Sequence, residues 1–260
     1  MPSPLSFGLI ASLALLGMSV STLATAVEDV STTSYRPTVS NPAALSAPGW
    51  LEVEMGMHQQ LPGDGSRQTS LPYLLKYAVS PDFGILLGGD AHVTLTDADG
   101  TRTRGQGDST FLLKHRWGLG SGDEAGLEWG FKSPTAISGL GSGKTDYIAN
   151  GIYSTRVGAH TLDVNLNATR LGAVEAGTGL IRWGWAAALS HPLDAHWSLS
   201  AELSGAARRG TTADNQMLVA MAYAPNNRVV IDAGMAVGLS HAAVNRTCFI
   251  GVSFLLQKFK

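Results

Sequence analysis

The chain is short of cysteine, of charge and of long apolar runs, and each shortage excludes something. Its 260 residues hold one cysteine, Cys248, which rules out a disulfide framework and a cysteine-rich metal site. Charged residues make up 15% of the chain, where a soluble domain usually carries about 25%. With 18 Lys and Arg against 20 Asp and Glu the net charge is −2, so the basic excess of a nucleic-acid binder is missing. At 44% hydrophobic the chain still holds too much apolar surface for disorder. Beyond Ala26 no stretch approaches the roughly 18 consecutive apolar residues of a membrane helix. The mean hydropathy of +0.09 is likewise far below that of a helical membrane protein. What is abundant is glycine, at 31 residues.

The first 26 residues read as a secretory signal. The run Leu5–Ala26 is apolar and closes on Ala24-Thr25-Ala26, the small-residue pattern that precedes cleavage, here between Ala26 and Val27. No Lys or Arg precedes Arg36, so the amino terminus supplies the only charge of the n-region. Residues 27–49 follow as a periplasmic leader with Pro37, Pro42 and Pro48 and no periodicity. An extended plug and a free tail are both compatible with it. Residues 50–260 form the remaining unit.

In that unit the hydrophobic period is two. Leu51, Val53, Met55 and Met57 alternate with Glu52, Glu54, Gly56 and His58, and Leu127, Trp129 and Phe131 alternate with Glu128 and Lys132. On the same pattern Val93 falls on an apolar face and His92 on a polar one. Such alternation gives each strand one wet and one apolar face. Twelve segments of this kind are predicted. Short connections such as Ser80-Pro81-Asp82 and Gly158-Ala159 alternate with longer Gly-rich ones, among them Gln60–Gln68, Thr96–Gly107 and Gly205–Asn215. Even strand number, short turns at one end and long loops at the other is the layout of a transmembrane antiparallel up-and-down β-barrel. The turns are then periplasmic and the loops extracellular.

Charge sorting supports that choice over a soluble sandwich. The apolar faces carry almost no charge, Arg170 near a loop end being the main exception. The polar faces carry seven acids and six bases. Trp50, Tyr77, Phe83, Trp117, Trp197, Tyr223 and Phe259 collect near the short-turn end, as a girdle at a membrane interface does. The expected lumen-lining residues are Glu52, Glu54, Lys76, Asp90, Lys114, Arg116, Glu128, Lys132, Asp163, Arg182, Glu202 and Asp232. They either pair into ladders that stiffen the lumen or line a permeation path.

The segments Tyr35-Arg36-Pro37, Pro48-Gly49-Trp50-Leu51-Glu52-Val53-Glu54, Leu75-Lys76-Tyr77, Gly107-Asp108 with Leu113-Lys114-His115-Arg116, Lys132-Ser133-Pro134-Thr135, His160-Thr161-Leu162-Asp163-Val164-Asn165 and Ala201-Glu202-Leu203 recur in order along the chain. Through them the chain resembles an outer-membrane barrel family of transporters associated with the phenol meta-cleavage degradation pathway. The resemblance implies an outer-membrane barrel passing small hydrophobic or aromatic compounds.

The function expected is therefore passive passage of small solutes, hydrophobic or aromatic ones included, across a bacterial outer membrane. The expected partners are outer-membrane lipid and lipopolysaccharide, the barrel-assembly machinery and a small-molecule substrate, with no nucleic acid. A non-conducting structural or surface-interaction barrel and a lipid-modifying barrel enzyme are the alternatives. An enzyme is not the expectation. His115 is the only histidine on a clear lipid-facing phase, and no Ser with an acid or amide accompanies it at i±2. His58 and His92 are expected to face inward. The seven histidines show no pair at ligand spacing, so no metal and no cofactor is expected. Gly139–Thr145 lacks the spacing of a phosphate loop.

Overall fold

A computed structural model describes residues 30–259; the signal segment lies outside them. The strands are β1 (Trp50–Leu61), β2 (Arg67–Ala78), β3 (Phe83–Thr96), β4 (Arg102–Gly105), β5 (Ser109–Gly120), β6 (Asp123–Ser133), β7 (Asp146–Val157), β8 (His160–Arg170), β9 (Ile181–Pro192), β10 (Trp197–Arg208), β11 (Asp214–Asn226), β12 (Val229–Gly238) and β13 (Arg246–Lys258). All pairings between them are antiparallel, and β1 pairs both β2 and β13, closing the ring. Strand β4 stands outside the ring: it is a short hairpin return that pairs only with Val93–Thr96 of β3. Twelve strands therefore form the barrel. Closure leaves the ring no free edge strand, so neighbouring strands answer most backbone groups of the wall without water.

The barrel is inside out. Its largest fully buried side chains are Lys76, Lys114, Glu52, Glu54, Glu128 and Asp232, while Met55 (46% exposed), Leu166 (67%) and Trp183 (64%) stand on the outer surface. In a soluble protein these classes trade places. The outer wall is a lipid-compatible belt, and the inner wall is polar. At the short-turn rim Trp117, Trp197 and Phe259 face outward, and the Trp197 and Tyr223 rings lie 4.6 Å apart.

Three expectations need correction. Trp50 is not part of the girdle. It shares the phase of Glu52, is buried, and lies under the Arg228 guanidinium at 4.9 Å. His92 does not face inward. The β2–β3 register jumps between Leu71/His92 and Pro72/Asp90, leaving Ala91 unpaired, and one extra residue reverses every face beyond it. Val93 is consequently buried and His92 exposed. The connections between β1 and β2 and between β10 and β11 shrink to residues 62–66 and 209–213, because polar residues at those strand ends continue the ladders above the apolar belt.

Candidate functional site

The leader lies inside the barrel. It comes in at the short-turn end, where the Thr32 amide donates to the Asn227 carbonyl at 2.8 Å, and returns to that end, where the Gly49 amide donates to the Ala78 carbonyl at 2.8 Å. Between those points it folds into a loop with Val39 near the apex. A leader with three prolines cannot supply a regular ladder. Its backbone groups instead find partners among wall side chains, as buried backbone groups must.

The inward charges supply those partners. The Glu52 carboxylate accepts from the Thr33 amide at 3.1 and 3.2 Å, and the Glu54 carboxylate accepts from the Tyr35 amide at 2.8 Å and the Arg36 amide at 3.2 Å. The Lys76 ammonium donates to the Thr33 carbonyl and pairs with Glu54, and with Glu52 at 3.0 Å. Lys114 pairs with Glu128 at 3.1 Å and donates to the Pro42 carbonyl at 2.6 Å and the Tyr35 hydroxyl at 2.7 Å. The two ammonium groups also flank the Tyr35 ring, at 4.0 and 4.1 Å from its centroid. Across the lumen, the Ser40 amide donates to Glu202 at 2.7 Å and the Asn41 amide to Asn165 at 2.8 Å. The Asn41 side chain donates to Glu128 at 3.0 Å, and the Ser154 hydroxyl donates to Asp163.

Arg36 is the one cation that the leader brings. Its guanidinium holds Asp232 through two donors, at 2.9 and 3.0 Å, and reaches His58 Nε2 at 3.2 Å. Asp232 is a fully buried carboxylate, so this forked pair neutralises a charge that has no water.

The twelve expected lining residues therefore divide by height. Glu52, Glu54, Lys76, Lys114, Glu128, Asp163, Glu202 and Asp232 lie around the leader. Arg116 sits at the turn rim with Glu124 and Asp82. Asp90 is half-buried on the inner face of β3. Lys132 bridges Asp108 (2.7 Å) and Asp146 (3.0 Å), and Arg182 pairs with Asp214 at 2.8 Å, both toward the long loops. The residues that sequence reasoning missed are Thr33, Tyr35, Arg36, Ser40 and Asn41. Their only signals were the Tyr35-Arg36-Pro37 match and the number of inward carboxylates awaiting donors.

Two recesses touch the apex of the leader. Above it, toward the loops, a vestibule of about 320 Å³ has Val39 on its wall with Asn167, Arg182, Gln216 and Val244. Beside it, a recess of about 210 Å³ is bounded by Tyr35, Thr38 and His58 from the lumen and by Met55, Pro72 and Tyr73 of the wall. Met55 and Tyr73 belong to the outward phase. The recess coincides with a break in pairing. The β1–β2 ladder runs from Leu51↔Tyr77 to Met55↔Tyr73 and resumes at His58↔Ser70, skipping Gly56–Pro72 and Met57–Leu71. Pro72 has no amide hydrogen to give a ladder.

No family model and no curated protein matches the sequence. Solved structures do. An outer membrane channel from Pseudomonas putida F1 superimposes with a TM-score of 0.66 at 13% identity, covering 85% of this chain and 100% of that one. The NanC porin gives 0.56 at 9% identity, covering 79% and 100%. The CymD monoaromatic hydrocarbon channel gives 0.51 at 9%, covering 81% and 90%. The likeness is one of fold: a closed antiparallel barrel of the outer-membrane kind.

Proposed function

We propose that the protein is a passive outer-membrane channel for small apolar solutes, aromatic ones included. Solutes enter the vestibule at the loop end and leave sideways between β1 and β2. The recess that joins the leader's apex to the outward residues Met55 and Tyr73, at a break in the ladder, carries this reading. The leader obstructs the axis, so a hydrophilic solute has no straight route through. An apolar solute needs none, because lipid is a favourable destination for it. The apolar outer belt, the alternation of turns and loops and the barrel neighbours support an outer-membrane location. That the neighbours are channels and porins favours a conduit over an enzyme. On this reading lipid and lipopolysaccharide cover the outer wall, the barrel-assembly machinery inserts the chain, and the resemblance to transporters of the phenol meta-cleavage pathway makes phenols and alkylbenzenes the first solutes to try.

The test is a bridge across the break. Met57 and Leu71 stand opposite each other across the break when the register on its two sides is extended, and both are exposed on the outer surface; a disulfide between them draws their Cα atoms to within about 7 Å. Met57→Cys and Leu71→Cys, combined with Cys248→Ser, are expressed in a Gram-negative host lacking the protein. Uptake of labelled toluene is expected to fall about tenfold on oxidation and to recover with reductant. Equal uptake in both redox states removes the sideways route. Uptake no faster than in the host without the protein removes the channel reading itself.

A further inference from the structure

Sequence spacing offers no histidine pair, yet the fold makes one. His160 opens β8 and His191 lies one residue before the end of β9. The register Thr161↔Ser190, extended by one step, places them directly opposite. Both lie on the outward phase, alternating with the inward Thr161 and Ser190. Their ring centroids are 4.6 Å apart at an interplanar angle of 38°. The pair stands at the turn rim, next to the exposed connections Gly158-Ala159 and Leu193–His196.

Each ring also carries an unanswered nitrogen. Nδ1 of His160 and Nδ1 of His191 are both buried without a hydrogen-bond partner. A neutral imidazole offers one donor and one acceptor nitrogen. A proton on Nδ1 would be a buried donor with no acceptor, so each ring is better served with its proton on Nε2 and a bare lone pair on Nδ1. Two neighbouring desolvated lone pairs are left over, and a buried acceptor without a partner is costly. A cation that takes lone pairs removes that cost at both rings. Imidazole suits the borderline transition metals, with Cu2+ the tightest of the divalent ions. Directly opposed side chains on neighbouring strands have Cβ atoms about 4.5–5.5 Å apart, a span that a metal ion bridges with little movement of two rings.

We propose that His160 and His191 form a two-imidazole site for a divalent transition-metal ion, Cu2+ before Zn2+, with water completing the coordination, which staples β8 to β9 at the periplasmic rim. Among the described residues no group of three or more His, Cys, Asp or Glu could hold a metal, so the site is open and its affinity rests on the two rings alone. It lies on the outer wall, away from the leader, and does not depend on the channel reading.

The experiment uses the full-length mature barrel without a histidine tag, refolded in detergent and titrated with CuCl2. One equivalent of Cu2+ is expected to show electron paramagnetic resonance couplings to two imidazole nitrogens. His160→Gln and His191→Gln should each weaken that equivalent at least tenfold, and the double variant should abolish it. His241→Gln, on an exposed loop, should leave it unchanged. A ligand that binds only the folded state raises its stability. Cu2+ should therefore raise the temperature at which the compact gel band is lost in the wild type and in His241→Gln, and not in the double variant. Equal Cu2+ binding in the wild type and the double variant, or a single-nitrogen signal in the wild type, overturns the proposal and leaves the two rings as a packing pair.

Discussion

At the scale of single residues, two glycines decide whether the leader can seat. Gly56 and Gly251 face each other across β1 and β13, and the Arg36 side chain lies in the slot between them. A Cβ on Gly56 would come within 2.9 Å of the guanidinium carbon, and one on Gly251 within 2.4 Å. Hydrogen at both positions is what lets the guanidinium pass to Asp232. Gly251→Val should push Arg36 off its partner, and Arg36→Ala should strand a buried carboxylate, a change that costs about 3–5 kcal/mol when one member of a buried pair is removed. Both variants are expected to show larger and more frequently open ionic conductance than the wild type in planar bilayers. Arg36→Lys should rescue little, because an ammonium cannot reproduce the two-donor fork. Wild-type conductance in both Gly251→Val and Arg36→Ala would show that the Arg36–Asp232 pair does not hold the leader in place.

At the scale of elements, the leader sets the electrostatics of the lumen as much as its bore. Around it the wall presents six carboxylates, Glu52, Glu54, Glu128, Asp163, Glu202 and Asp232, against two ammonium groups, Lys76 and Lys114. Thirteen inward charges on the sequence pattern look nearly balanced, but the balance is not local: Lys132 and Arg182 sit toward the loops and Arg116 at the turn rim. With the leader in place its amides and Arg36 answer the surplus of acids. Deleting residues 33–46 should open a pore that prefers cations, as a ring of acids does. Reversal potentials in a KCl gradient check this; an unselective or anion-preferring pore would show that the leader does not neutralise the wall. The bulge at Ala91 belongs to this scale too. Nothing in the alternation of β3 announces it, because a strand pattern read alone has no partner against which to count.

At the scale of the molecule, closure is the source of stability and of the outward apolar surface alike. A ring of twelve strands cannot lose one ladder without exposing an edge in lipid, so unfolding should be cooperative and demand heat. The refolded protein is expected to migrate as a compact band on unheated detergent gels and to shift to its full apparent mass after boiling. Identical migration with and without heating would contradict the closed barrel. Much of this scale was legible beforehand. Alternation at period two, twelve segments and the phase of turns and loops follow from residue order, since a strand between lipid and a polar lumen must alternate.

The sequence by itself determined the barrel, its strand number and which residues face inward on most strands, because facing depends on local parity. Only the tertiary structure decided what those inward residues do. Thr33, Tyr35, Arg36 and Ser40 meet Glu52, Glu54, Asp232 and Glu202 across separations of 18 to 196 positions in the chain. Those partners come together only when closure brings β1 beside β13 and folds the leader inside. His160 and His191 become neighbours in the same way, through a register that no spacing within one segment can state.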